Sequence, residues 1–126
     1  MSSSVIDTMY PIRYIVSIMI TVRETNYFKD WIKGLNDKVS QSIINARIRR
    51  LSAGNFGDTK SVGGNVFELR IDFGPGFRVY FIRRKRTIII LLCGGVKSGQ
   101  AQDIETAKRI AQIIEEKRED SLFPLW

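Results

Sequence analysis

The 126-residue chain contains no histidine and a single cysteine, and both shortages restrict the chemistry it can perform. Without histidine, the common zinc sites and every histidine-based catalytic triad are excluded. The lone Cys93 cannot form a disulfide within the chain, which fits a reducing compartment or plain packing in a core. Any acid–base catalysis must therefore use lysine, arginine, tyrosine, aspartate or glutamate side chains.

Long apolar runs and glycine-rich phosphate loops are also missing. The apolar segment at residues 14–22 is too short to span a bilayer as a helix, and no cleavage site of small residues follows it. Hydrophobic residues make up 44% of the chain, too many for a disordered protein, and the length fits one compact domain. We expect a cytoplasmic globular protein with no metal, no small-molecule cofactor and no membrane contact.

The net charge of +7 is concentrated in the middle of the chain. Residues 41–86 hold ten basic and three acidic side chains, whereas residues 1–40 sum to +1 and residues 87–126 to −1. Eight of the ten basic side chains are arginines, whose planar guanidinium groups match phosphate oxygens. This local excess indicates a surface that binds a polyanion. The alternative is a solvated surface that keeps the protein soluble.

Apolar spacing in the first half of the chain predicts a strand followed by two helices. The isoleucine and valine content of residues 14–22 is typical of a strand. Thr25 or Asn26 can cap a first helix, and Asp37 opens a second helix in which Val39 is counted on the apolar side. These two helices form a hairpin that one face of a sheet can cover.

The second half changes to a two-residue period and then ends in a helix. Strands are predicted over residues 66–73, 77–82 and 87–93, and an amphipathic helix over residues 100–118. With a short approach strand before them, the order is β-α-α-(β)-β-β-β-α. We therefore predict a small α+β domain, with the N-terminal strand and the helical hairpin on a mainly antiparallel twisted sheet.

The turn at residues 74–76 predicts which polar side chains share a face of the sheet. With a three-residue loop, Asp72 lies opposite Arg78 and Arg70 lies opposite Tyr80. Two guanidinium groups, a phenol and a carboxylate then converge on one patch, where two arginines can hold one phosphodiester. The alternative is a solvent face with an Asp72–Arg78 pair that contributes little to stability.

Three linked segments, residues 54–64, 68–81 and 91–98, resemble the RelE/ParE toxin superfamily. They are most similar to the phage-derived addiction module killer branch, which is related to HigB. The likeness covers residues 19–115, so we divide the chain into an N-terminal extension (1–18), a toxin domain (19–118) and an apolar tail (119–126). We expect the tail to pack on the domain.

The resemblance implies a toxin of a type II toxin–antitoxin module that cuts mRNA on the ribosome and is neutralised by a helix-turn-helix antitoxin. The positions that match family motifs are the expected catalytic residues Lys60, Arg70, Arg78, Tyr80 and Lys97. The arginines would stabilise charge while the ribose 2′-OH attacks the adjacent phosphate, and Lys60 or Tyr80 would handle protons. Lysine and tyrosine titrate near pH 10, and neighbouring arginines are expected to depress those pKa values.

Other basic residues of the central segment would bind ribosomal RNA electrostatically, namely Arg47, Arg50, Arg83, Arg84, Lys85 and Arg86. The chain departs from the branch pattern at Val96, where an aspartate is usual, and at Gly99, where a threonine is usual. Two alternatives therefore stay open. One is a ParE-like toxin that binds a topoisomerase and cleaves nothing, and the other is an attenuated toxin that retains only antitoxin binding.

Overall fold

A computed structural model describes residues 20–117 of the chain. In chain order its elements are β1 (Thr21–Glu24), α1 (Asn26–Lys33), α2 (Lys38–Ser52), β2 (Thr59–Gly63), β3 (Val66–Ile71), β4 (Phe77–Arg84), β5 (Ile88–Val96), a 3-10 turn (Lys97–Gly99) and α3 (Gln100–Lys117). The predicted α+β class and element order are confirmed. The predicted extension 1–18, the tail 119–126 and residues 14–19 of the first predicted strand lie outside the described residues.

The five described strands form one sheet in the order β1-β5-β4-β3-β2. β1 runs parallel to β5, and the other neighbouring pairs are antiparallel, which confirms the mainly antiparallel prediction. The α1–α2 hairpin covers one face, where Ile44 and Leu51 pack with Leu69, Val79 and Phe81. We call this the hairpin face. Within residues 20–117 no helix is long and apolar enough to cross a membrane.

The C-terminal helix α3 covers part of the opposite face, which we call the α3 face. Ile110 and Ile114 pack there with Tyr80, Ile90 and Leu92. Because β5 is covered from both sides, it is apolar at nearly every position, as a strand buried on both faces should be. The α3 face is therefore buried beneath the helix, whereas the Arg70 side chain on β3 stays partly exposed.

Short polar side chains start both helices of the hairpin. Thr25 accepts a hydrogen bond from the Phe28 amide, and Asp37 accepts one from the Val39 amide, so both predicted caps are confirmed. The prediction that Val39 lies on the apolar side is wrong, because its side chain is exposed. The buried stripe of α2 instead follows Ile44, Ile48 and Leu51, at i, i+4 and i+7.

Thr25 also joins α1 to the sheet. Its buried hydroxyl donates to the Leu92 carbonyl over 2.7 Å while accepting from the Phe28 amide over 3.2 Å. Thr25→Val keeps the shape but leaves a buried carbonyl and a helix N–H without partners. We expect a loss of about 1–3 kcal/mol in the free energy of unfolding, measured by urea denaturation. Thr25→Ser should stay near wild type, and an equal loss in both variants would contradict this account.

The predicted pairing of β3 with β4 is wrong by two residues. Arg70 lies opposite Arg78, and Glu68 lies opposite Tyr80. Asp72 belongs to the loop and is exposed, because the connection uses residues 72–76 rather than three residues. A slip of two residues leaves every side chain on its predicted face, so the patch survives with Glu68 as its carboxylate.

Candidate functional site

Two rows of polar side chains cross the α3 face of the sheet. Directly paired residues share a face, so the first row contains Lys60, Glu68 and Tyr80 and the second contains Arg70 and Arg78. The second row lies next to the first, towards the loop between β3 and β4. The structure thus brings four of the five expected catalytic residues onto one face of the sheet, where Tyr80 and Arg78 are buried.

Arg78 is a buried cation with an incomplete set of partners. Its side chain is 8% exposed, and one amino group, Nη1, donates to the Phe77 carbonyl over 3.0 Å. The buried Nε atom has no hydrogen-bond partner, and no carboxylate of the described residues lies within 4.0 Å of the guanidinium. A buried charge without a counter-charge costs several kcal/mol. The site therefore has the electrostatics of an anion-binding position.

Lys97, the fifth expected catalytic residue, reaches this position from the 3-10 turn before α3. Its backbone amide donates to the Gly76 carbonyl over 2.7 Å. A Cβ on Gly76 would stand 3.2 Å from Lys97 Cβ and 3.6 Å from Arg78 Nη1. Gly76 has φ +83°, a left-handed conformation that favours glycine, so the space between the two cations stays open. Arg70 is paired with Arg78 across β3 and β4, and Lys97 lies beside Gly76, so we treat the three cations as one cluster and name it the phosphate site after the ligand proposed below.

Glu68 is the only fully buried carboxylate among residues 20–117, and three side chains donate to it. Arg70 Nε bonds Oε1 over 3.1 Å, while Tyr80 and Gln100 bond Oε2 over 3.1 and 2.6 Å. Burial alone raises the pKa of Glu68, but these donors together hold it below the ordinary glutamate value of 4.5. Glu68 is therefore ionised at neutral pH and tied to the neighbouring arginine.

The prediction that arginines depress the pKa of Tyr80 is wrong in direction. Tyr80 is fully buried, and burial, with the nearby Glu68 charge, raises the pKa of its phenol far above 10. Its hydroxyl already donates to Glu68. At neutral pH the phenol stays protonated and holds the carboxylate.

Acid should weaken the fold through Glu68. Because the folded pKa is below the unfolded value, the carboxylate stabilises the protein fully above about pH 4.5 and loses that effect as the pH falls through the folded pKa. We expect Glu68→Gln to unfold more easily than wild type at pH 7, with the gap narrowing below pH 4.5. Urea unfolding at several pH values measures this difference. A gap that stays constant to pH 3 would contradict it.

The expected RNA-binding arginines of α2 and β4 are not members of the phosphate site, although Arg47 contacts the backbone of one member. Arg47 Nη1 donates to the backbone carbonyl of Arg70 over 3.3 Å, so its guanidinium already supports β3. Arg50 is exposed near the end of α2, and the Arg83 guanidinium lies 4.6 Å from the centre of the Phe56 ring. Arg47 thus meets Arg70 through the backbone of β3, whereas no hydrogen bond or ion pair joins Arg50 or Arg83 to an expected catalytic residue.

A second basic region lies at the far end of β4, around its turn with β5. Lys85 and Arg86 are exposed there, and Arg84 is half-buried. Six residues of extended strand, about 20 Å, separate Arg84 from Arg78. A cleft of about 560 Å³ opens beside the turn, and its lining includes Phe67, Ile82, Arg83, Arg84, Lys108 and Ala111. Within residues 20–117, two separate basic regions therefore lie at the two ends of β4.

Sequence reasoning missed Glu68 and Gln100 as members of the site. A signal for Glu68 exists, since it stands two residues before Arg70 and so shares its face of the strand. Gln100 gives no such signal, because it meets Glu68 across 32 residues of chain and from a different element.

Comparison with known proteins gives the family. The family described as "Phage derived protein Gp49-like (DUF891)" matches residues 30–117, which include α2, the phosphate site and all of α3. An "Uncharacterized protein" of Haemophilus influenzae is 50% identical over 95 residues, covering 75% of this chain and 96% of the relative. The expectation of a phage-derived, toxin-like family is confirmed at this coarse level. Because the family match spans more than half of its length, the chain belongs to the phage-derived Gp49-like family.

Proposed function

We propose that this protein is the toxin of a type II toxin–antitoxin module and cleaves mRNA on the ribosome. The observation that carries the proposal is the buried Arg78 guanidinium, which has an unpaired Nε and no described carboxylate within 4.0 Å. Arg70 is paired with Arg78 on the neighbouring strand, and Lys97 lies nearby, beside Gly76. A phosphodiester supplies the missing negative charge and fits between planar guanidinium groups.

The reaction we propose is internal transfer at one phosphodiester. The ribose 2′-oxygen bonds to phosphorus, the bond from phosphorus to the 5′-oxygen breaks, and the products are a 2′,3′-cyclic phosphate and a 5′-hydroxyl. Arg70 and Arg78 stabilise the charge that develops on the non-bridging oxygens. The 2′-OH proton passes to water, and the exposed Lys60 ammonium protonates the leaving 5′-oxygen.

Ribosomal RNA is the proposed partner of the second basic region. Its exposed cations stand on the turn between β4 and β5, well away from the reacting phosphate, and phosphate contacts of this kind position a protein on RNA. Such contacts predict cleavage that weakens steeply as salt concentration rises. Between episodes of activity, a helix-turn-helix antitoxin would hold the toxin inactive in the cytoplasm.

Expression in a bacterial host tests the function. Wild-type protein should arrest growth and generate new mRNA 5′ ends within translated regions. Arg70→Ala with Arg78→Ala should abolish both effects. Arg109→Ala with Lys117→Ala removes the same two positive charges from exposed positions of α3 and should leave both intact.

Toxicity with intact mRNA would reject the nuclease and favour a topoisomerase-binding toxin, which needs no phosphate site. Toxicity that survives the double arginine substitution would reject this site. A wild-type chain that is harmless but still binds its antitoxin would support the attenuated alternative, which the unusual Val96 and Gly99 raise.

Tyr80→Phe separates proton transfer from positioning. Because the buried phenol already donates to Glu68 and its pKa is raised, we expect the variant to keep cleavage within about tenfold of wild type. Single-turnover cleavage on mRNA-programmed ribosomes measures the rate. A loss beyond about a thousandfold would instead identify Tyr80 as a group that transfers a proton.

A further inference from the structure

Glu68 has no part in the proposed reaction, yet it lies at the centre of the site. It stands between Lys60 on β2 and Tyr80 on β4, and it is 0% exposed. An ionised carboxylate beside a phosphate site repels the substrate, so its position needs a compensating role. Its contacts with Arg70 and Gln100 indicate what that role is.

The contact with Arg70 uses only one edge of the guanidinium. Nε donates to Glu68 Oε1, whereas neither terminal amino group hydrogen-bonds to a described residue. The Arg70 side chain is 35% exposed, so these amino groups can reach a ligand. A carboxylate fixed on Nε holds the plane of the guanidinium and leaves its outer donors free for phosphate oxygens.

The contact with Gln100 joins this arrangement to helix α3. Gln100 is the first residue of α3 and follows directly after the 3-10 turn that carries Lys97. Its amide donates to Glu68 Oε2 over 2.6 Å. Glu68 therefore connects the sheet arginine with the turn that supplies the flanking lysine.

We propose that Glu68, fixed by Gln100, is a positioning residue that holds the Arg70 guanidinium in the orientation required to bind the scissile phosphate. This role rests on the proposed function. It adds Glu68 and Gln100, which are not among the expected catalytic residues. The competing account is purely structural, in which Glu68 only satisfies the buried donors of Tyr80 and Gln100. The two accounts differ in whether the negative charge must face Arg70.

Exchanging the two side chains separates these accounts. Glu68→Gln leaves one acceptor oxygen for the three donors of Arg70, Tyr80 and Gln100. Its new NH₂ group also faces these donors and cannot accept a hydrogen bond from them. Adding Gln100→Glu restores a complementary amide–carboxylate pair, but the charge now stands on the helix rather than against Arg70. The exchanged protein thus keeps the hydrogen bond and loses the arrangement at Arg70.

Two measurements follow on wild type, Glu68→Gln and the exchanged protein. The first is single-turnover cleavage on mRNA-programmed ribosomes, and the second is thermal unfolding. We expect Glu68→Gln to lower both the rate, at least tenfold, and the unfolding temperature. The exchange should recover most of the unfolding temperature and leave the rate at least tenfold low. Recovery of both the cleavage rate and the unfolding temperature in the exchanged protein would overturn the positioning role. An unchanged cleavage rate in Glu68→Gln would also overturn it.

A binding measurement distinguishes failure of this inference from failure of the proposed function. The Arg70 Nε–H resonance of arginine-labelled protein is titrated with inorganic phosphate. Wild type should bind phosphate, and Glu68→Gln should bind it at least fivefold more weakly. If wild type binds phosphate but does not cleave RNA, the proposed nuclease function is wrong. The positioning role is then decided by whether Glu68→Gln binds phosphate more weakly than wild type. If Glu68→Gln binds equally well, the positioning role fails alone.

Discussion

Arg78→Met should make the protein inactive while leaving it as stable as wild type or more so. The side chain is buried, its Nε is unpaired, and no described carboxylate lies within 4.0 Å of its guanidinium. An apolar side chain of similar length removes the free-energy cost of burying an unpaired charge. We expect the free energy of unfolding to rise by up to about 2 kcal/mol, while cleavage falls at least about a hundredfold. Urea denaturation and ribosome-programmed cleavage measure the two effects.

The matched control is Arg70→Met, on the opposite strand of the same site. Arg70 is paired with the buried Glu68, so its removal leaves a carboxylate short of one donor. Cleavage should fall as in Arg78→Met, but the free energy of unfolding should fall by about 1–2 kcal/mol. Opposite changes in the free energy of unfolding, with equal loss of activity, identify Arg78 as an anion-binding residue. If Arg78→Met destabilises the fold by more than about 1 kcal/mol, Arg78 is a structural residue instead.

Gly94→Ala should be among the most destabilising small substitutions in the chain. Gly94 lies opposite Val79 on the hairpin face, and a Cβ there would overlap the indole of Trp31. That ring has little room to retreat, because its centre lies 5.8 Å from the Phe28 ring and 6.3 Å from the Phe77 ring. Overpacking of this kind costs about 3 kcal/mol, measured by urea denaturation.

Gly95→Ala provides the comparison, since its Cβ would point to the opposite face of the same strand. It would meet the carboxylate of Asp103, the end of a side chain that can rotate away. We expect a distinctly smaller loss than for Gly94→Ala. Combining Gly94→Ala with Trp31→Leu should recover stability relative to the sum of the single changes, as contacting residues do. Equal losses at both glycines would point to backbone conformation rather than to the indole.

The faces of the sheet could be predicted from the sequence, but the pairing across it could not. Alternation of apolar and polar residues fixes which side of the strand Arg70 and Arg78 occupy, because burial enforces a two-residue period. The pairing depends on how many residues the loop uses. Gly74 and Gly76 both adopt positive φ, and the turn they build takes in Asp72 as well. No local pattern distinguishes that loop from a shorter one.

The helix starts were predictable because their causes are local, whereas the core of the site depends on distant contacts. Thr25 and Asp37 cap helices through amides two or three residues away. The hydrogen bonds at Glu68 come from β3, β4 and α3, so only the tertiary structure brings them together. For the same reason, the burial that raises the pKa of Tyr80 could not be predicted from its arginine neighbours.

The parallel pairing of β1 with β5 also determines the order in which the chain can assemble. Thr21 pairs with Ile88, so β1 cannot join the sheet until β5 has been synthesised and has left the ribosome that makes this chain. The β2–β3–β4 meander needs only neighbouring residues and can form earlier. The α1–α2 hairpin, although made first, lacks its complete sheet surface until β5 arrives. Synthesis and assembly therefore run in different orders, and the phosphate site is completed only when α3 has begun.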